Sequence, residues 1–281
     1  MTASAYDTAS KAYRPSKRAR LVTWNVNSVR ARIDLVDRFI SLQDPDILCL
    51  QEIKVQTDQF PRSWFEERGY VHQAIAGQRN HHGVATLSRL PLEEIESADW
   101  CQKGDARHIA ARLPGGVKLH NFYVPAGGDE PDREVNPRFA HKLDFLDEMI
   151  GWSKTLDEPS IMVGDLNVAP LESDVWSHRQ LLKVVSHTPP ETERMHALQK
   201  AHDWVDAMRH FVADDEPLFS WWSYRARDWR ASNRGRRLDH IWVSPCLKDG
   251  LRGMSVFDDA RSWDKPSDHA PVIVDIDLPL S

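Results

Sequence analysis

Disulfide-forming cysteine is scarce in this 281-residue chain: Cys49, Cys101 and Cys246 are odd in number, widely spaced and without the close pairs of a zinc site. That excludes a disulfide scaffold and points to reduced thiols in a cytoplasm-like compartment. No apolar run is long enough to span a membrane, and the first twenty residues lack the hydrophobic stretch of a secretory signal. Positive charge is not in excess either. With a formal net charge of -6 there is no global attraction to nucleic acid, so contact with a phosphate backbone has to come from a local basic surface. No low-complexity linker interrupts the chain.

What is present is the material of a sizeable core: 41% hydrophobic residues, among them eleven tryptophans, beneath a surface supplied by 28% charged residues. Residues 1–19 are rich in Ala, Ser and Thr and then basic (Lys11, Arg14, Lys17, Arg18). They read as a disordered tail, with a transit segment as the alternative, ahead of a single domain over 20–281.

Short β-like runs bounded by Pro, Gly, Asn or Asp predict strands at Leu21–Val26, Ile47–Gln51, Gly83–Ser88, Val117–Val124, Ser160–Gly164, Leu238–Val243 and Val272–Ile276. Helical spacing joins Val29, Ile33, Val36, Phe39 and Ile40, with Ser28 as the expected cap, and again Phe139, Leu143, Leu146, Met149 and Ile150. A third helix is expected after Thr188, where Pro189 and Pro190 suit the first turn and Glu191 complements the dipole. Helices should therefore cover sheets. Gly127-Gly128 and the segment Arg225–Arg237 read as loops, where a scaffold usually carries its chemistry.

Polar residues recur at or just beyond the predicted strand ends: Asn25 and Asn27, Glu52, Asp165 and Asn167, Asp239, and Asp268 with His269. Any one of them alone is most simply a turn former or a helix cap, so the weight lies in the recurrence. Glu52 closes the apolar run Ile47-Leu48-Cys49-Leu50, and a carboxylate leaving a buried strand is held rigidly enough to bind a hard cation such as Mg²⁺. Gly164 permits a tight turn after Ile161-Met162-Val163, and period-2 spacing puts Asp165 and Asn167 on one side, one to handle a proton and one to donate to an oxyanion. A working His269 needs a carboxylate to fix its tautomer, and Asp239 is the natural candidate. Asp268, pointing away from its neighbour in an extended segment, suits metal or hydrogen-bond support.

Five runs occur in order: Trp24-Asn25-Val26-Asn27-Ser28-Val29-Arg30-Ala31-Arg32, Pro45-Asp46-Ile47-Leu48-Cys49-Leu50-Gln51-Glu52, Gly164-Asp165-Leu166-Asn167-Val168-Ala169-Pro170, Arg237-Leu238-Asp239-His240-Ile241 and Ser267-Asp268-His269-Ala270-Pro271. Together they resemble the exonuclease III family of AP endonucleases, within the wider endonuclease/exonuclease/phosphatase superfamily. The resemblance implies an α+β fold, a four-layer α/β/β/α sandwich of two mixed β-sheets flanked by helices, as in DNase I. It implies Glu52 as the principal ligand of Mg²⁺, with Mn²⁺ as the alternative ion and Asn25 and Asp268 assisting. Asp165 would activate or position water, Asn167 and Tyr123 would contact the phosphate, and His269 paired with Asp239 would stabilise the transition state. Asn27 and Arg30 would touch DNA. The implied activity is incision 5′ to abasic sites, with 3′-phosphodiesterase or 3′→5′ exonuclease action on 3′-blocked ends of double-stranded DNA. The implied protein is a monomer in a bacterial-type cytoplasm, at work on the nucleoid and not on a membrane.

Tyr123, in Asn121-Phe122-Tyr123, stands where relatives resembling DNase I or sphingomyelinase carry a second catalytic histidine. This favours the DNA-repair branch over RNA, an inositol phosphate or a phospholipid headgroup as substrate. Phe219-Ser220-Trp221-Trp222-Ser223-Tyr224 runs into six arginines within the thirteen positions 225–237, Arg225, Arg234 and Arg236 among them. Guanidinium forks match phosphate oxygens, and Trp221 and Leu238 can line a recess for a flipped-out abasic sugar. A DNA-binding module that does not cut would have lost a carboxylate or the histidine, and none is missing. One departure stands out: after Tyr123-Val124-Pro125 the family commonly offers an amide side chain to the phosphate, and here Ala126 follows, then Gly127-Gly128 and an acidic 129–132.

Overall fold

A computed structural model of the chain describes residues 15–226 and 228–279. The tail expected over 1–19 thus lies outside the described residues up to position 14, and Arg227 lies outside them too. Residues 15–19 are not tail but the start of the first strand.

In chain order the strands are Pro15–Asn25 (β1), Ile47–Gln51 (β2), His72–Ala76 (β3), Val84–Ser88 (β4), Glu93–Glu96 (β5), His108–Arg112 (β6) and Lys118–Tyr123 (β7), then Ser160–Asp165 (β8), Val205–Asp206 (β9), Trp221–Trp222 (β10), Gly235–Arg236 (β11), Asp239–Val243 (β12), Leu251–Val256 (β13) and Val272–Pro279 (β14). The helices are Ile33–Gln43 (α1), Arg62–Glu66 (α2), Pro137–Ser153 (α3), His178–Leu181 (α4), Pro189–Ala201 (α5) and Trp229–Ser232 (α6). One six-stranded sheet runs β13-β14-β1-β2-β4-β3, the other β5-β6-β7-β8-β12-β9, and β10-β11 form a small ribbon. Both large sheets are mixed, since β1 and β2 are parallel and so are β7 and β8.

Period-2 alternation builds the layers. Leu21, Ile47, Cys49, Leu119, Ile161, Val163, Ile241, Val243 and Val274 share the core between the sheets. The alternate residues Val22, Trp24, Leu48 and Leu50 turn outward and take Val36, Phe39 and Ile40 of α1. Phe122, Met162 and Trp242 face outward on the second sheet and take Phe145, Leu146 and Met149 of α3 with Met195 and Leu198 of α5. The result is the expected helix-sheet-sheet-helix sandwich.

The same alternation delivers polar residues to one end of the inner core. Following Leu21, Cys49, Leu119, Val163 and Ile241 along their own faces leads to Asn25, Gln51, Asn121 and Tyr123, Asp165 and Asp239. These groups are buried, and several bond to one another: Gln51 Nε2 donates to Asn121 Oδ1 at 2.7 Å and to Thr23 Oγ1 at 2.9 Å. Gly164 lies in a strand, as the expected span Ser160–Gly164 has it, but the strand runs on to Asp165, so the tight turn expected at Gly164 is not made there. The Gly164 φ is 144°, and a Cβ there would overlap the Phe122 carbonyl of β7, so glycine is needed for the close approach of two strands that carry site residues. Ser28 is not the cap of α1, which starts four residues later with Arg32 in the capping position; Ser28 itself has φ 86° and ends the turn after β1. All three cysteines are free, and no helix among the described residues is long and apolar enough to cross a membrane.

On the outer face of the second sheet, His108 and His120 stack 3.2 Å apart, Nε2 to Nδ1, among Trp100, Phe122 and Trp152. Burial, aided by nearby Lys118, pushes His108 down to about 3, and burial with the His108 charge pushes His120 well down as well. Below the ordinary value of 6.5 the unfolded chain takes up these protons and the folded one does not. Stability is therefore intact above that value and falls as pH drops, with a slope approaching about 1.4 kcal/mol per pH unit for each histidine. The double substitution His108→Phe/His120→Phe should make the fall in melting temperature between pH 7 and 5 shallower than in the wild type. An equal slope in both proteins would contradict the assignment.

Candidate active site

The polar end of the inter-sheet core opens into a cavity of about 690 Å³. Its lining includes Glu52, Tyr123, Asp165, Asn167, Asp268 and His269 together with Trp221, Arg225, Arg234, Arg236 and Leu238. Asn25 and Asp239 stand behind this lining, fully buried. Eleven of the residues expected from sequence thus share one cavity.

Glu52 follows β2 in a left-handed conformation, φ 49°, which a non-glycine residue adopts only when held. It is held by its neighbours: its carbonyl accepts the Ser28 amide at 2.7 Å, and the Ile53 amide donates to Gly83. Its Oε1 accepts from Asn25 Nδ2 at 2.9 Å and from the Tyr123 hydroxyl at 2.7 Å, while Lys54 Nζ lies 2.7 Å from Oε2. Burial would raise this carboxyl, but the donors Asn25, Lys54 and Tyr123 outweigh it and bring it down to about 2. Glu52 is ionised. The Tyr123 phenol, buried and between the charges of Glu52 and Asp165, is pushed well above its ordinary value and stays protonated.

Asn25 is the bridge. Its one amide nitrogen donates to Glu52 and, at 2.8 Å, to Asp165 Oδ2. Asp165 and Asn167 do come together, though by a turn and not by extended alternation: Asn167 is left-handed at φ 54°, and its backbone amide reaches Asp165 Oδ1 at 3.0 Å. Its side-chain Nδ2 donates to the Val124 carbonyl at 2.9 Å and to Asp165 Oδ2 at 3.2 Å.

His269 Nδ1 donates to Asp239 Oδ2 at 2.8 Å, and its Nε2 faces Asp165 Oδ2 at 3.6 Å. Burial works against the imidazolium, but Asp239 and Asp165 beside it more than compensate and raise His269 to about 10. Burial raises Asp165 far above the carboxylate range, with Asp239 adding and His269 opposing. The His269 backbone is anchored separately: Trp24 Nε1 donates to its carbonyl at 3.1 Å, and Ser267 Oγ reaches the Asn25 carbonyl at 2.6 Å. Asp268 turns the other way, as expected of an extended segment, and accepts from Trp221 Nε1 at 2.9 Å.

Four contributors carry no chemical signature in the sequence. Ser220, hidden among aromatics, donates to Asp239 Oδ2 at 2.6 Å and accepts the amides of Leu238 and Asp239. Lys54 follows Glu52 at a spacing any surface lysine could have. Trp176 and Val185 line the cavity from a segment with no motif. The arginine stretch divides. Arg225 and Arg234 line the cavity, and Arg236 forms its wall, fixed to the Val185 carbonyl and Ser186 Oγ at 3.0 and 2.8 Å. Arg237 belongs to the core instead, 1% exposed and clamped by Asp174 and Asp206, and Arg230 is paired with Asp259. Tyr224, Asn27 and Arg30 do not line this cavity: the Tyr224 hydroxyl meets Asn27 Nδ2 and Arg32 at 3.1 Å each, and Arg30 is exposed.

Residues 22–269 match the Endonuclease/Exonuclease/phosphatase family. The chain is 31% identical to exodeoxyribonuclease III of Haemophilus influenzae over 268 residues, which cover 90% of this chain and 98% of that one. It is 30% identical to an exodeoxyribonuclease of Bacillus subtilis, over 92% of this chain and all of the relative. Among solved structures, an AP endonuclease from Archaeoglobus fulgidus superposes with a TM-score of 0.85 at 29% identity, over 92% of this chain and the whole of that one. A 3′ phosphatase from Neisseria bound to a product DNA hairpin gives 0.85 at 27%, with the same coverage. Sequence, fold and site agree, and the chain belongs to the endonuclease/exonuclease/phosphatase family, in its exonuclease III branch.

Proposed function

We propose that this protein is a DNA-repair phosphodiesterase that incises the backbone on the 5′ side of abasic sites, with 3′-phosphodiesterase or 3′→5′ exonuclease activity at blocked or recessed ends. The observation that carries the reading is the mixed lining of one cavity, which combines a carboxylate-histidine cluster with Trp221, Leu238 and three arginines. A phosphodiester suits the first group and a base-less sugar the aromatic and aliphatic one, while Arg225 and Arg234 would meet flanking phosphates. The relatives named exodeoxyribonuclease, the AP endonuclease and the DNA-bound 3′ phosphatase support the same substrate class.

The chemistry follows from the electrostatics. Two buried carboxylates facing a phosphate would repel it, so the cluster needs positive charge and donors directed at the anionic oxygens. His269, held protonated by Asp239 and Asp165, supplies a cation against the charge that grows on phosphorus oxygens. Asn167 and the Tyr123 hydroxyl can donate to those oxygens, and Asn25 fixes the spacing of Glu52 and Asp165. Asp165, whose affinity for a proton is raised by burial, is the group suited to take a proton from the attacking water.

The cavity also fits a divalent ion. The Glu52 carboxylate is ionised, offers hard oxygen donors, and already draws one cation, the Lys54 ammonium, to Oε2. Glu52, with Asn25 and Asp268, would hold Mg²⁺ or Mn²⁺, which when bound offsets phosphate charge as a Lewis acid. The tightest group of ligand-type atoms among the described residues is a different one, Asp165, Asp239 and His269, within 4.8 Å of one another. Its histidine is engaged by Asp239, so we assign that group to proton and charge handling.

Purified protein with Mg²⁺ should cut a labelled duplex at a single abasic analogue and lose that activity in chelator. Glu52→Gln, Asp165→Asn and His269→Ala should each lower kcat by about 100-fold or more. Wild-type rates in these variants, or faster turnover of RNA, an inositol phosphate or a phospholipid headgroup, would refute the assignment. Asp239→Asn should bring the His269 pKa down, as followed by the NMR titration of its ring nitrogens, because the strongest of its raising charges is gone. An unmoved titration would show that Asp239 does not govern His269.

A further inference from the structure

Among the described residues, one ion pair is wholly withdrawn from solvent. Lys142 of α3 and Glu191 of α5 meet at 2.5 Å with both side chains fully buried. Apolar residues of similar volume would join two helices at least as well, since burying both charges costs several kcal/mol per ion before their attraction offsets it. Lys142 and Glu191 therefore call for a reason beyond helix packing, and their other hydrogen bonds supply one.

Lys142 Nζ donates to the Asn167 carbonyl at 2.7 Å and to the Ala126 carbonyl at 3.3 Å. Both residues line the catalytic cavity. Glu191 accepts the Ser186 amide at 2.9 Å, the Thr188 amide at 3.0 Å and Thr188 Oγ1 at 2.6 Å. The Val185 carbonyl and Ser186 hydroxyl then receive Arg236, whose guanidinium lies 5.1 Å from the Trp221 ring centre. Glu191 was expected to complement a helix dipole; it does close a capping box with Thr188, but from the interior.

We propose that the Lys142–Glu191 pair is a positioning device that ties the Ala126 and Asn167 edge of the cavity to its Val185–Ser186–Arg236–Trp221 wall and thereby sets the width of the site. Neither residue lines the cavity, so neither touches the reacting atoms. The pair acts through others. Ala126 is the position with no side-chain amide to offer, and Lys142 instead fixes its backbone. The inference rests on the phosphodiesterase reading above, in which Asn167 meets the phosphate.

The test compares two full-length variants with the wild type on the abasic duplex. Lys142→Met/Glu191→Met removes charge and hydrogen bonds together, whereas Lys142→Gln/Glu191→Gln removes only the charges. The methionine pair should keep its melting temperature within a few degrees and lose about 10- to 100-fold in kcat, with KM changed less, as small misplacements of reacting groups do. The glutamine pair should recover to within about threefold of wild type because its amides can replace the donated and accepted bonds. A folded methionine pair at wild-type kcat, or a folded glutamine pair as slow as the methionine pair, overturns the proposal. Should the methionine pair not fold, the glutamine pair decides alone, a fall of about tenfold or more counting against the proposal. Wild-type protein that leaves the abasic duplex intact would instead refute the substrate reading, and the same comparison would then be made on a recessed 3′ end.

Discussion

The hydrogen bond between Asp239 and His269 joins the two halves of the sandwich at a place where both partners carry charge. Asp239 begins β12 in the second sheet, and His269 stands three residues before β14 in the first. Their 2.8 Å contact is made inside the core, where each partner alone would be strongly disfavoured. Asp239 Oδ1 has no partner at all, so the carboxylate depends on Oδ2, shared by His269 and Ser220. The bond fixes the imidazole plane, keeps Nε2 turned toward Asp165, and sets the separation of the sheets at their open end. Backbone anchors from Trp24 and Ser267 hold His269 from its own side, so the geometry is determined twice.

From that joint the charges arrange themselves in sequence. His269 is a cation because two carboxylates flank it; Asp165 retains affinity for a proton because it is buried beside Asp239; Glu52, joined to Asp165 through Asn25 and held by three donors, is fully ionised. Two carboxylates bridged by a single amide therefore differ widely in proton affinity. A pair of titratable groups pushed apart by their surroundings is how one site holds an acid-base group and an ionised ligand at the same pH. The polar layer of Thr23, Gln51 and Asn121 beneath them, joined through the Gln51 amide nitrogen, forms the transition from apolar core to charged site.

Much of this was legible in the residues before any coordinates, and the reason is periodicity. Seven strands and three helices were readable because their faces alternate or repeat cleanly, and the site residues were readable because each sits where an inner face runs out. Some of the elements that were missed have weak patterns, Glu93–Glu96 being an exposed edge of charges and Trp221–Trp222 with Gly235–Arg236 two-residue ladders; His72–Ala76, His108–Arg112 and Leu251–Val256 were missed as well, His108–Arg112 although it is buried almost throughout. Ser28 misled as a cap because its position after β1 looks the same in sequence whether the chain turns at once or four residues later. Gly164 misled because a strand glycine required by a neighbouring carbonyl cannot be distinguished from a turn glycine without knowing which strand lies beside it. Arg237 looked like its neighbours Arg234 and Arg236, yet alternation along a two-residue ribbon sends it inward to Asp174 and Asp206.

The same limit applies to Lys142 and Glu191, and it bears on how substrate choice is built. A lysine on an amphipathic helix and a glutamate in a helix first turn are each ordinary in sequence; only packing reveals that α3 and α5 bring them together. Their burial means that the loop after β7 and the loop before α5 do not vary independently, because a shift in either strains the pair. A family that keeps its catalytic cluster while changing what it cuts must change these walls, and a wall tied to a buried ion pair moves as a unit. In this chain the unit joins an alanine and two glycines on one edge to an arginine stacked on tryptophan at the other. In the proposed function the space between them would receive a phosphate with a bare sugar, its width set from behind by helices that touch neither.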